Sequence, residues 1–350
     1  MSITETGSRV SESLRVALVG CGRISKNHFE AISRVHGLEL AGVADIVTSR
    51  ARAASDEYGV PAFESLETML AHVECDIVTV ATPSGLHPVH GMAAARAGKH
   101  VVSEKPMAIS LEGADSLIAT CAENNVKLFV VKQNRLNPAI QLVKRAVDKG
   151  RLGRIHSANC TVRWARPQDY YDQAPWRGTW AMDGGAFMNQ ASHYVDLIQW
   201  LAGPVDSVVA ITATQERRIE AEDSGAAVLQ FRNGGIGVLD VTMLTYPKNL
   251  EGSLTILGDR GSVKIGGTAV NRVETWLFED YDNDDKLIDA AATAPPSVYG
   301  FGHEGYYRNV VQVLGGRGIP DTDGAEGRKS LEIILAIYQS ARTGRLVVLG

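Results

Sequence analysis

A near-continuous apolar run, Leu14–Gly20 (LRVALVG), ends in the glycine turn Gly20-Cys21-Gly22, and helical spacing starts at Ile24. Such a run suits a strand buried on both faces. Glycines at the turn let the chain reverse sharply and let a phosphate approach the backbone. The helix start that follows offers free N–H groups and the positive end of its dipole. Ser25 stands at the third glycine of the G-x-G-x-x-G pattern, and it is small enough for close helix–strand packing. A second apolar run, Leu38–Asp45, closes on a carboxylate. Asp45 is placed to accept hydrogen bonds from ribose hydroxyls and to repel a 2′-phosphate, and no adjacent arginine is expected to receive one. The strand–turn–helix–acid order therefore points to NAD rather than NADP.

Alternation continues through the first third of the chain. Strand-like runs at 76–81, 100–103 and 127–131 are separated by helical spacing at 88–97 and 111–124, which predicts a doubly wound parallel sheet of Rossmann type. Near residue 133 the pattern changes. Asn137-Pro138 opens a helix in the favoured cap-then-proline order, and Gly150 closes it. Strand-like runs follow at 155–164, 205–214, 225–231, 236–242 and 253–257. A long helix over 185–201 interrupts them, and helices at 304–314 and 325–343 end the chain. The expected organisation is a disordered leader over 1–13, an NAD-binding Rossmann domain over 14–133, and an α+β domain over 134–350. The last is built on a large open, mostly antiparallel sheet, with roles in substrate binding and oligomerisation.

At 350 residues and 45% apolar composition, the chain can bury more than one core. Its net charge of −5 and the lack of a basic block exclude a nucleic-acid partner, which requires clustered cations. No run of about 20 apolar residues suits a membrane span. The polar N-terminus lacks a signal-peptide core, so a cytoplasmic location is expected. Cys21, Cys75, Cys121 and Cys160 are far apart and read as reduced thiols. His87-Pro88-Val89-His90 has no accompanying carboxylates or cysteines, so no metal is expected.

Three more segments complete a pattern: Ala81-Thr82-Pro83-Ser84-Gly85-Leu86-His87, Glu104-Lys105-Pro106, and Asp183-Gly184-Gly185 through His193 to Asp196. Together with the glycine turn, they resemble the Gfo/Idh/MocA oxidoreductases over almost the whole chain. The resemblance implies that Lys105 and His193 are catalytic, and that the bond before Pro106 is cis. It further implies cofactor contacts from Gly20, Gly22, Arg23, Ile24, Asp45, Thr82, Pro83, Ser84, Leu86, His87, Glu104, Lys105, Gln133, Trp176 and Arg177. Asn189 lies four residues before His193 on the expected helix, where many members carry Asp. An amide cannot raise the basicity of the histidine, which shifts weight to Lys105 as the base. A lysine can serve if burial and a nearby cation lower its pKa.

The runs Arg166–Tyr171, Pro175–Trp180, Phe187–His193 and Thr245–Ser253 resemble, more narrowly, the UDP-N-acetyl-2-amino-2-deoxy-glucuronate 3-dehydrogenases (WlbA/WbpB type) of that family. That likeness implies NAD-dependent oxidation at C3 of UDP-N-acetyl-glucosaminuronic acid (UDP-GlcNAcA) in O-antigen biosynthesis. It implies 2-oxoglutarate as a reoxidant of NADH, an aminotransferase acting next, and a homotetramer. A diphosphate and a carboxylate need cations and donors. The expected substrate set is therefore Lys105, Arg163, Arg166, Tyr170, Arg177, Asn189, His193, Tyr246, Lys248 and Asn249. The competing readings are another sugar or inositol dehydrogenase of the family, an NAD-sensing regulator without turnover, and an NAD-dependent glycosidase.

Overall fold

The computed structural model describes residues 13–293 and 302–350. The expected leader lies outside them, except for residue 13.

Six strands form the first sheet: β1 (Leu14–Val19), β2 (Leu38–Ala44), β3 (Ala62–Phe63), β4 (Ile77–Val80), β5 (His100–Ser103) and β6 (Leu128–Val130). They are all parallel, in the order β3-β2-β1-β4-β5-β6. β4 is buried at every position, as its unbroken IVTV run requires between two helical layers. The chain leaves β1 toward β2 on one side and returns to β4 on the other. That reversal opens a crevice at the C-terminal ends of β1 and β4, where open α/β sheets take ligands.

The second sheet holds β7 (Ile155–Arg163), β8 (Val205–Ala213), β9 (Ser224–Phe231), β10 (Ile236–Thr242), β11 (Glu251–Gly258), β12 (Gly261–Gly266), β13 (Arg272–Phe278) and β14 (Val347–Val348). Their order is β13-β12-β11-β7-β10-β9-β8-β14, antiparallel except for the β7–β10 pair. Side chains alternate across it. Ala158, Cys160, Val162, Leu239 and Val241 face the core, which the nearly all-buried helix Ser192–Ala202 shares. On the other face, Val209, Val228 and Val238 stand in register across three strands and are 42%, 46% and 39% exposed.

Two features differ from the expectation. The helix Gly302–Leu314 packs on the first sheet rather than on the second: Tyr306, Tyr307, Val310 and Val313 join Val16, Ile32, Val102 and Phe129 in one cluster. A parallel sheet needs both faces covered, and the amphipathic stripe of this returning helix supplies part of that cover. The helix expected over 185–201 begins instead as a single wide turn, Ala186–Gln190, in which the Ala191 N–H reaches back five residues to the Ala186 carbonyl (2.8 Å).

Candidate active site

The crevice is a cleft of about 550 Å³. Gly20 has φ +99°, and a Cβ there would lie 2.5 Å from the Ala81 carbonyl oxygen, so only glycine fits. A Cβ on Gly22 would meet nothing within 4 Å, which leaves open space over the turn. Helix Ser25–Arg34 starts there. The buried Ser25 hydroxyl donates to the Gly22 carbonyl (2.6 Å) and fills the place of the third glycine. Asp45 is fixed from both sides: one carboxylate oxygen accepts from the Cys21 N–H (2.8 Å), the other from the Val47 N–H (2.7 Å). Burial and then the Asp45 charge push the Cys21 thiol up to about 12, so it stays protonated. Open space over a glycine turn, a helix start and an anchored carboxylate fit the pyrophosphate and ribose of a dinucleotide.

One expectation is corrected here. Arg50, on helix Thr48–Tyr58, lines the same cleft as Asp45, because one turn of helix brings back a side chain that is five residues away in sequence. Asp45 remains the group bonded into the glycine turn. The wild-type protein is therefore expected to bind NAD at least tenfold more tightly than NADP, and Asp45→Ser should narrow that gap because Arg50 stays. Calorimetric titration with both dinucleotides checks it; equal wild-type affinities would contradict the role given to Asp45.

Glu104 follows strand β5 and is buried. It bonds to His28 Nε2 (3.0 Å), lies 3.7 Å from His303 Nε2, and accepts the Lys105 backbone N–H (3.0 Å). Behind it, His28 Nδ1 meets the Tyr307 hydroxyl (2.9 Å), which in turn meets Thr79 (2.8 Å). Burial opposes the charge on Glu104, yet the two histidines hold its carboxyl well below the usual range. The next residue, Lys105, enters the cleft, and its peptide bond to Pro106 is cis. Burial pushes the Lys105 ammonium below the usual lysine range, against the pull of Glu104 and Asp183. Its Nζ donates to the Asn189 carbonyl (2.9 Å). That carbonyl sits in the wide turn, a distortion common at functional sites.

A carboxylate clamp holds the wide turn. Glu222 accepts from the Phe187 N–H (2.8 Å) and the Tyr338 hydroxyl (2.9 Å), and Tyr338 accepts from Gly185 (3.3 Å) and Met188 (3.1 Å). Burial raises the Glu222 carboxyl from 4.5 to about 7. The folded protein thus holds this proton more tightly than the unfolded chain. The resulting stability is complete below about pH 4.5 and lost as pH rises through about 7. Thermal melts between pH 5 and 8 should show a steeper fall in Tm for the wild type than for Glu222→Gln; parallel profiles would contradict this.

His193 does not pair with Asn189, contrary to the regular-helix expectation. The wide turn intervenes, and the Asn189 amide donates to Asp183 instead. His193 is buried and is not among the cleft-lining residues, and neither of its ring nitrogens has a hydrogen-bond partner among the described residues. Burial, Lys105 and Lys132 hold its pKa well below the usual range, so it is neutral. Gln133 is also buried outside the lining.

The remaining expected residues separate into two groups. Arg23, Ile24, Thr82, Pro83, Ser84, Leu86, His87, Glu104, Tyr170, Trp176, Arg177 and Asn189 line the cleft. The Arg177 guanidinium lies 4.1 Å from the Tyr170 ring centroid and 5.1 Å from that of Trp176, a cationic aromatic wall. Arg166 joins this wall, its guanidinium 5.4 Å from the Tyr170 ring centroid, and it also donates to Gln190 (3.0 Å), which donates to the Tyr170 hydroxyl (3.0 Å). Arg163, Tyr246 and Lys248 are not in the lining. Strand alternation turns Arg163 to the outer face of the second sheet, paired with Asp240 and Glu251. Tyr246 is 95% exposed, and Lys248 is exposed beside it. Asn249 holds the Ala165 N–H (2.9 Å) and Arg166 (3.2 Å) and so supports the wall rather than lining it. Asp183, Glu222 and Arg50 escaped the sequence reading of the site. Asp183 and Glu222 are seen only once the wide turn is known, since they bind different parts of it.

Residues 14–132 match the family description "Oxidoreductase family, NAD-binding Rossmann fold", and residues 140–264 match the GFO/IDH/MocA C-terminal domain. The chain belongs to the GFO/IDH/MocA family. It is an NAD-dependent dehydrogenase of that family, with NAD as its cofactor. It is 53% identical to the WlbA dehydrogenase of Bordetella pertussis, solved with NADH and UDP-GlcNAcA (97% of this chain, 98% of that one; TM-score 0.94). It is 50% identical to the WlbA dehydrogenase of Chromobacterium violaceum, solved with the same two ligands (97% of each chain; TM-score 0.93). A D-apiose dehydrogenase from Paraburkholderia graminis is 28% identical over 95% of this chain and 89% of its own length. Among the described residues, no helix of this GFO/IDH/MocA member is long and apolar enough to cross a membrane.

Proposed function

We propose that this chain oxidises the C3 hydroxyl of UDP-GlcNAcA to the 3-keto sugar in the cytoplasm, as a step toward a diacetamido uronic acid of O-antigen. The observation that carries this reading is the half-identical, full-length likeness to two dehydrogenases solved with NADH and UDP-GlcNAcA.

NAD, when bound over the Gly20–Gly22 turn and Asp45, supplies the hydride acceptor. Lys105 takes the hydroxyl proton, since burial keeps its ammonium below the usual lysine range. On family likeness, the neutral His193, whose two ring nitrogens are left unpartnered among the described residues, hydrogen-bonds the same hydroxyl. Arg177 offsets the substrate's negative charge, while Tyr170 and Trp176 pack on its rings. On family likeness, 2-oxoglutarate reoxidises NADH and an aminotransferase consumes the ketone.

The apolar row Val209–Val228–Val238, with Ile211 77% exposed beside it, forms the contact with a second copy in a homo-oligomer. Ile211→Asp is expected to shift the mass seen by light scattering toward the monomer; an unchanged mass would put the contact elsewhere.

The functional test is NADH formation from UDP-GlcNAcA, UDP-N-acetylglucosamine, myo-inositol and glucose. A charge left unpaired in a closed site costs roughly 2–5 kcal/mol, so the uronate should exceed its uncharged counterpart by more than tenfold. A faster rate with inositol or glucose would overturn the reading.

A further inference from the structure

We propose that Asp183 is the positioning carboxylate of this site, acting through Asn189 on Lys105; the proposal rests on the reading of Lys105 as the proton acceptor. Asp183 is 2% exposed and lies on the cleft wall, just before the Gly184-Gly185 pair. One of its oxygens accepts from the Gly178 N–H (2.8 Å) and the other from the Asn189 amide. The backbone carbonyl of that same Asn189 accepts from Lys105 Nζ (2.9 Å). A single residue thus ties a buried carboxylate to the ammonium: its side chain holds one and its main chain the other.

The other carboxylates around the cleft are committed elsewhere. Asp45 is bonded into the glycine turn, and Glu104 is held by His28 and His303. Glu64 and Glu67 lie with Asp45 and Arg50 at the ribose end. Asp183 faces Lys105, Arg177 and Tyr171. Lys105 also faces Glu104 and Arg166, with Lys132 and the histidines His87, His193 and His303 beyond. Burial holds those three histidines below their usual range, so they stay neutral where Lys105 titrates. Burial also raises the Asp183 carboxyl to about 6, so it is charged at neutral pH and above. A charged Asp183 does two things. It draws the proton onto Lys105 electrostatically, and it orients the Asn189 amide so that the carbonyl faces the ammonium. Removing the charge therefore makes Lys105 easier to deprotonate but less well placed.

The test reads Lys105 directly, in the full chain with and without NAD, so it stands whichever sugar is the substrate. The pH dependence of Lys105 acylation by acetic anhydride is followed by peptide mass spectrometry. A nearby opposite charge favours the charged form by roughly 1–3 pKa units, and here the hydrogen-bonded link runs through Asn189, so the low end applies. In Asp183→Asn the midpoint should therefore fall by about one pH unit, while Asp183→Glu keeps the wild-type midpoint. With substrate, Asp183→Asn should lose kcat with the KM for NAD unchanged, and the acid limb of its kcat/KM profile should move to lower pH. An Asp183→Asn midpoint equal to wild type overturns the proposal, as does a kcat loss with no movement of the limb. If Asp183→Asn does not fold, Asn189→Ala decides: it removes the amide link but keeps the charge, so kcat should fall with the KM for NAD unchanged. An unaltered kcat in that variant overturns the proposal equally.

Discussion

Lys105→Met is expected to lower turnover by roughly 10²–10⁴-fold, the range for removal of a general acid–base group, while NAD still binds. The methionine matches the length of the lysine stem and removes only the ammonium that reaches the Asn189 carbonyl. The glycine turn and Asp45 are untouched, so dinucleotide affinity should stay within a factor of a few. His193→Ala should cost less, because His193 is a neutral donor to the hydroxyl rather than the proton's destination. Stopped-flow NADH fluorescence separates the two effects. Near-normal turnover in Lys105→Met would mean that another group accepts the proton.

Gly185→Ala is expected to damage both stability and turnover. A Cβ at 185 would lie 1.9 Å from a Glu222 carboxylate oxygen and 2.4 Å from the Glu222 carbonyl oxygen. The side chain can swing away, but the backbone oxygen cannot, because it accepts the Ala186 N–H (2.9 Å). Moving Glu222 releases the Phe187 N–H and the Tyr338 hydroxyl together, and the wide turn loses its clamp. Overpacking of this kind costs up to roughly 3 kcal/mol. The Asn189 carbonyl should move with the turn, so turnover should fall at least tenfold even in the folded fraction. Denaturant melts with parallel activity assays check both effects; a wild-type melt and rate would show that the clamp does not hold the turn.

The first sheet was legible because its physics is local. Leu14–Gly20 and Asp76–Ala81 are apolar at nearly every position, as only strands covered on both faces need to be. Residues just past the strands of this sheet, Gly20, Asp45 and Lys105, fall in chain order at the crevice. What escaped depends on contacts distant in sequence. Helix Gly302–Leu314 docks on a sheet that the chain left at Val130, and no local spacing records that return. The wide turn depends on Glu222, in the loop before β9, and on Tyr338, in helix Gly324–Thr343, both far along the chain. Asp183 was visible as a letter in the glycine–histidine segment, but its bond to Asn189 exists only because the turn is not a regular helix. The placement of Arg163 is different, since a signal for it was present. Ala158, Cys160 and Val162 alternate inward along β7, so position 163 must face outward. Tyr246 and Lys248 had only the resemblance of their run behind them, and the loop that carries them lies outside the cleft lining.

The central claim is that this cleft oxidises carbon 3 of the uronate ring. The most direct measurement is to incubate the protein with NAD and UDP-GlcNAcA, add borodeuteride at once, and locate the incorporated deuterium by NMR. Oxidation at C3 predicts deuterium at C3 alone, at a level that Lys105→Met abolishes; deuterium at C4, or none above the no-enzyme control, would contradict it.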